Sequence, residues 1–173
     1  MATLVEMSPA DHISAGCVGE VGNRTFFIQA RKEADVITLL CEKFQLQQLA
    51  SGIREFTEEL QRNDPDLPPL VLDYTEAEME LQEPLHPLFR VGQMGVGYDK
   101  ENDLMVLVAQ EMTSDEDDAA EARTARIWAT RLQMMVMGEH GDEVASRGRP
   151  ICGNCLQPIS LEGHFCPKSN GHK

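Results

Sequence analysis

The sequence predicts an α+β protein made of two halves, each a strand meander followed by a helix. Three observations carry this. Runs dense in β-branched and aromatic residues are bounded by turn residues near the start. An apolar recurrence in steps of three and four follows them between Leu46 and Leu60. The same order, strands and then helix, returns after residue 88. The plan is that of a duplication, with the two sheets packed together and both helices on one side.

In the first half, Ile13 to Val18 and Arg24 to Ala30 read as strands joined by Gly19-Glu20-Val21-Gly22-Asn23, whose glycines and Asn suit a reversing turn. Val36 to Cys41 completes a three-strand meander. Leu46, Leu49, Ile53, Phe56 and Leu60 then line one face of a helix whose other face is Gln, Arg and Glu. Asn63-Asp64-Pro65 ends that helix. Asp64 to Pro87, rich in proline and acids, reads as a long surface connection with a short extended piece at Leu70 to Leu72. A structureless loop of that length is unusual within a domain, which argues that part of it is ordered against the fold.

In the second half, Phe89 to Val96 and Leu104 to Gln110 read as paired strands around the polar turn Asp99 to Asp103. Thr113 with Glu116 predicts a capping box. The helix expected after it places Ala125, Trp128, Leu132 and Met135 on one face. Met134, Met135 and Met137 read as gap-filling core. Gly138 is expected to fray the helix, and Gly141, Gly148 and Pro150 to form a hinge. These boundaries divide the chain into a body, 1–147, and a tail, 148–173.

A formal charge of −14 opposes broad phosphate binding and makes contact with nucleic acid or an anionic membrane unfavourable. No apolar run approaches the roughly 20 residues of a membrane helix, and the start has no export-signal pattern. The expectation is a cytoplasmic protein. Its five cysteines do not make an even disulfide set: three crowd the tail, while Cys17 and Cys41 lie in apolar strand-like runs and read as buried thiols.

The tail reads Cys152-Gly-Asn-Cys155, then eight residues, then His164-Phe-Cys166. Two cysteines two residues apart can wrap one metal ion in a tight turn, and Gly153 eases the curl. His164 and Cys166 are two apart, so an extended segment presents both to one face. Three thiolates and an imidazole make a closed tetrahedral zinc set, structural rather than catalytic because no position is left for water. A Cys-x-x-Cys alone also describes redox pairs, but no strand-to-helix context accompanies this one. The nucleobase-deaminase pattern fails too, since Cys166 stands where its Glu would be. His172 is a weaker substitute for His164.

Beyond the tail, signals for chemistry are sparse. Glu20, Arg24, Thr25 and Gln29 lie at or beside the first hairpin, where Glu20 and Arg24 could orient a small ligand or merely pair with each other. No nucleophile-elbow, phosphate-loop or dinucleotide-binding pattern is present, and the glycines from Gly92 to Gly97 lie inside a strand. His12, His86 and His140 have no nucleophile beside them in sequence. Asp115 to Asp118 reads as a solvated helix start.

Ala15 through Ala30, Glu42-Lys43 with the Gln-rich segment after it, Phe89 to Gly92, and Gly148 to Cys152 through Glu162 to Pro167 resemble the bacterial family catalogued as domain of unknown function 3090, best known from actinobacteria. His172 departs from that pattern. The resemblance implies no reaction. It does imply a pathway shared with a histidine-phosphatase-like and a kinase-like protein, which tend to be encoded nearby.

The functional expectation is therefore a zinc-clipped interaction or adaptor protein, gripping a protein partner or its own second copy through Leu156, Ile159 and Phe165. The alternative is an enzyme or small-ligand binder using a cleft between the halves.

Overall fold

Alternation within the strands sorts the chain into two faces before any helix is placed. In the computed structural model, which describes residues 3–20, 22–114 and 120–147, β1 is Leu4–Met7, β2 His12–Glu20, β3 Asn23–Lys32 and β4 Asp35–Cys41. Helix α1 spans Lys43–Asn63, and a single 3-10 turn Glu76–Met79. Then come β5 Phe89–Asp99, β6 Leu104–Glu111, β7 Thr124–Ala129 and helix α2 Arg131–Ser146. The strands form one mixed sheet ordered β1-β7-β6-β5-β4-β3-β2. The halves therefore share one sheet, joined where Leu39 and Leu40 of β4 pair in parallel with Phe89 and Arg90 of β5.

Ile13, Ala15, Ile28, Ala30, Ile37 and Leu39 point to one face, as do Met105, Leu107, Ala125 and Ile127, and all are buried. Each large aliphatic side chain so buried contributes about 1.5–3 kcal/mol. Both helices cover this face. Thr57 of α1 approaches Met105, and Gly141 of α2 sits where a Cβ would come 3.2 Å from that of Ala15.

The first meander and α1 stand where the sequence places them. The second half needs correction. Residues 124–129 form a strand, with Ala125, Ile127 and Ala129 turned inward and fully buried, whereas a helix was expected there. The apparent three-and-four spacing runs across a strand and the start of a helix, and Leu132 is 40% exposed. Helix α2 begins instead at Thr130, whose Oγ1 accepts from the Gln133 amide at 3.0 Å while Gln133 Oε1 accepts from the Thr130 amide at 2.8 Å. It also does not fray at Gly138. Gly138 and Gly141 are buried contacts, and a Cβ on Gly141 would lie 3.0 Å from Leu46 Cδ1. Met134 and Met137 are fully buried, as gap-filling core requires.

Strand β1, absent from the sequence reading, pairs in parallel with β7. Leu70 to Leu72 joins no strand. The long connection is nevertheless held down. Arg131 donates to the Pro68 carbonyl, and Tyr74 to Glu143, so its first part follows α2. It then rounds the β2 edge onto the back of the sheet, where buried Gln29 donates to the Gln82 carbonyl at 3.0 Å and accepts from its amide at 2.7 Å. His12 links Arg31 and the Glu78 carbonyl in the same network. This wrapping shields an edge strand that would otherwise present unpaired backbone groups.

Candidate functional site

The polar concavity with the most varied chemistry lies at the outer end of the sheet, around β2. Gly19 (φ 111°) and Gly22 (φ 89°) let the β2–β3 hairpin turn tightly. Directly paired residues share a face, so Arg24, opposite Gly19, lies with Cys17 and Ala15 on the helix side. Its guanidinium donates to the Val144 carbonyl at 3.1 Å, a second bond to an oxygen in the last turn of α2 that also accepts from the Arg147 amide at 3.3 Å. The same group lies 5.2 Å from the Phe26 ring centre and 3.8 Å from Cys17 Sγ.

The 3-10 turn supplies the opposite wall. Thr75 Oγ1 accepts from the Glu78 amide at 3.3 Å, and Glu78 Oε2 accepts from the Thr75 amide at 2.8 Å, closing a capping box. After the turn, Leu81 settles over Gly16, where a Cβ would come within 3.1 Å of it. Between these walls is a groove of about 650 Å³, lined by Cys17, Arg24, Glu76, Glu80, His140 and Arg147 among others.

His140 is 4% exposed, its Nδ1 has no hydrogen-bond partner among the described residues, and its ring meets Tyr74 edge-on at 5.8 Å. Burial, then the nearby Arg147 charge, holds its pKa below the usual histidine value, so the neutral ring is favoured. Arg147 pairs with Glu76 and, at 2.9 Å, with Glu143. The hydrogen bond from Arg147 is the main cause of the lowered Glu143 pKa. Burial, then the charge of Glu143, raises that of Tyr74. Elsewhere, burial pushes the Cys41 thiol up to about 12, which makes it inert at neutral pH.

Of the residues singled out from sequence, Arg24 lines this groove, while Glu20 pairs with Asn23 on the other face of the hairpin and stands exposed. The fold thus separates the two. Gln29 is buried and anchors the connection, and Thr25 is exposed at the hairpin. The junction between the halves is filled by Leu39, Phe89 and Val91, each 5% exposed or less. A smaller groove of about 260 Å³ lies beside it between α1 and β5. Cys152, Cys155, His164, Cys166 and His172 lie outside the described residues, as do Val21 and Asp115 to Asp118.

Sequence reasoning missed the Tyr74, Glu76, His140 and Arg147 group. His140, Glu143 and Arg147 do follow helical spacing, a signal hidden once the helix was expected to fray at Gly138.

With this geometry in view, comparison with known families places the chain. The family described as "Protein of unknown function (DUF3090)" matches residues 5–166. The chain belongs to the DUF3090 family. The matched span takes in the whole sheet from Val5, both helices and the tail as far as Cys166, so this DUF3090 protein carries all four candidate ligands within the family region. No curated protein and no solved structure matches it. No helix among the described residues of this DUF3090 member is long and apolar enough to cross a membrane.

Proposed function

We propose that this protein is a cytoplasmic zinc-clipped interaction protein, in which Cys152, Cys155, His164 and Cys166 hold one structural zinc ion and the α+β body carries that clip. The observation behind the reading is the donor set itself, Cys-x-x-Cys followed after eight residues by His-x-Cys. Three thiolates and one imidazole suit a closed tetrahedral zinc site and leave no open position for catalysis. Metal binding would then fix one shape on a segment with little apolar content of its own. That shape would present Leu156, Ile159 and Phe165 to a protein partner or to a second copy.

Native mass spectrometry of the full chain, with and without chelator and on Cys155→Ser, tests the reading. The expected result is one zinc per chain, lost in the variant while far-UV circular dichroism of the body is unchanged. A chain that carries no metal in any state would overturn it.

The groove beside β2 favours a second reading, a small-ligand binder, because a buried histidine whose Nδ1 has no partner among the described residues lines a cavity there. Arg24 belongs to that cavity and Glu20 does not. Saturable protection of Cys17, at the same groove, from alkylation by a small molecule would support this reading; equal alkylation rates across a ligand panel would count against it.

A further inference from the structure

The groove at the β2 edge has a composition that its known neighbours do not use up. Val18, Met79, Leu81, Leu85 and Val144 give it an apolar floor, and Val18 is 46% exposed. At its rim Glu76 is neutralised by Arg147. The carboxylates of Glu80 and Glu83, both exposed, make no hydrogen bond or ion pair among the described residues. Arg24 adds a positive charge on the helix side, so an occupant that suits this groove combines apolar side chains with positive charge placed toward Glu80 and Glu83.

The position of the chain supplies a candidate. Arg147, the C-cap of α2, lines the groove itself, so everything after it starts at the groove mouth. Residues 148–173 carry Arg149, Lys168 and Lys173 against Glu162, a formal surplus that three zinc-bound thiolates would cut to about +1, together with Leu156, Ile159, Leu161 and Phe165. Four residues lie between Arg147 and Cys152, so the five steps give an extended reach of about 16 Å at roughly 3.3 Å per residue. A tether this short gives an effective concentration on the order of millimolar, so weak contacts are enough to hold the segment in place.

We propose that segment 148–173 docks within its own chain in the groove floored by Val18, Leu81, Leu85 and Val144, with its lysines facing Glu80 and Glu83. The shape of the docked segment rests on the zinc reading above. The function that follows is self-occupancy: an external partner for either the tail or the groove must first displace one from the other.

Hydrogen–deuterium exchange on the full chain tests this, comparing wild type with Glu80→Lys/Glu83→Lys and with the control Glu58→Lys/Glu59→Lys on the exposed face of α1. Zinc content is read by native mass spectrometry on the same samples, at two protein concentrations. Peptides 16–20 and 156–166 keep their sequences in every variant. The expected result is exchange about tenfold faster in both peptides for the groove variant alone, with zinc unchanged and no concentration dependence. Equal exchange in all three proteins, or an equal change in both variants, overturns the docking while leaving the zinc reading intact. Protection that grows with protein concentration overturns it in favour of a second copy. Absence of zinc removes the zinc reading, and the same exchange difference still decides the docking.

Discussion

Helices α1 and α2 lie on the same face of one sheet and begin in related ways, yet they are different objects. In α1 the Glu42 amide donates to Gln45 Oε1, and in α2 the Thr130 amide donates to Gln133 Oε1. Beyond the cap they diverge. Helix α1 buries Leu46, Leu49, Ala50, Ile53 and Thr57 along one stripe and turns Glu55, Glu58 and Glu59 to water. Helix α2 lies between α1 and β2, buries Arg131 at its start, and buries Met134, Val136, Met137, Gly138, His140 and Gly141 around much of its girth. A helix covered on one side announces itself by periodicity; one covered on several sides does not. The second kind needs small residues where backbones meet, and those look like breakers in sequence.

Glycine substitutions break this comparison most directly. Gly141→Val drives a side chain into Leu46 and Ala15 and should destabilise the fold by about 2–3 kcal/mol, read as a lowered urea midpoint. Next comes the polar anchor on the back of the sheet. Gln29→Leu strands the Gln82 amide and should cost about 2 kcal/mol, with faster proteolysis within 64–87. On α1 the sign reverses: a Cβ at Gly52 meets nothing within 4 Å, so Gly52→Ala should stabilise by about 0.5–1 kcal/mol. An equal loss from Gly52→Ala and Gly141→Val would erase the distinction between the helices.

The smallest effect is the acid limb of α2. Because His140 is held below its ordinary pKa when folded, the unfolded chain takes the proton first as the pH falls. Its contribution is therefore complete above about pH 6.5 and declines below it, through the folded pKa. His140→Phe keeps a ring against Tyr74 and should flatten this part of the wild-type-minus-variant stability curve. Identical pH dependence in the two proteins would show that burial leaves His140 unperturbed.

Much of the architecture was legible. The β2–β3–β4 meander and α1 follow from alternation and from a clean three-and-four stripe, both local properties of the chain. Strand β1 was not, because four residues at an edge acquire their strand character from β7, more than a hundred positions away. Strand β7 was misread for a related reason: Ala125, Ile127 and Ala129 alternate inward, but Trp128 with Leu132 imitates a helical step across the Thr130 boundary. For the candidate groove, Arg24 was visible as a charge near a turn, while its partner turned out to be the Val144 carbonyl rather than Glu20. That choice depends on which hairpin face meets α2, and no residue near the hairpin encodes it.

By itself the sequence determined the α+β class, the first meander and the amphipathic helix, since each rests on residue chemistry at short spacing. The tertiary structure decided that the two halves share a single sheet, that Gly138 and Gly141 are contacts rather than hinges, and that Tyr74, Glu76, His140 and Arg147 meet beside β2. Those outcomes come from segments far apart in the chain competing for the same buried surface, and that competition is settled only when the chain folds.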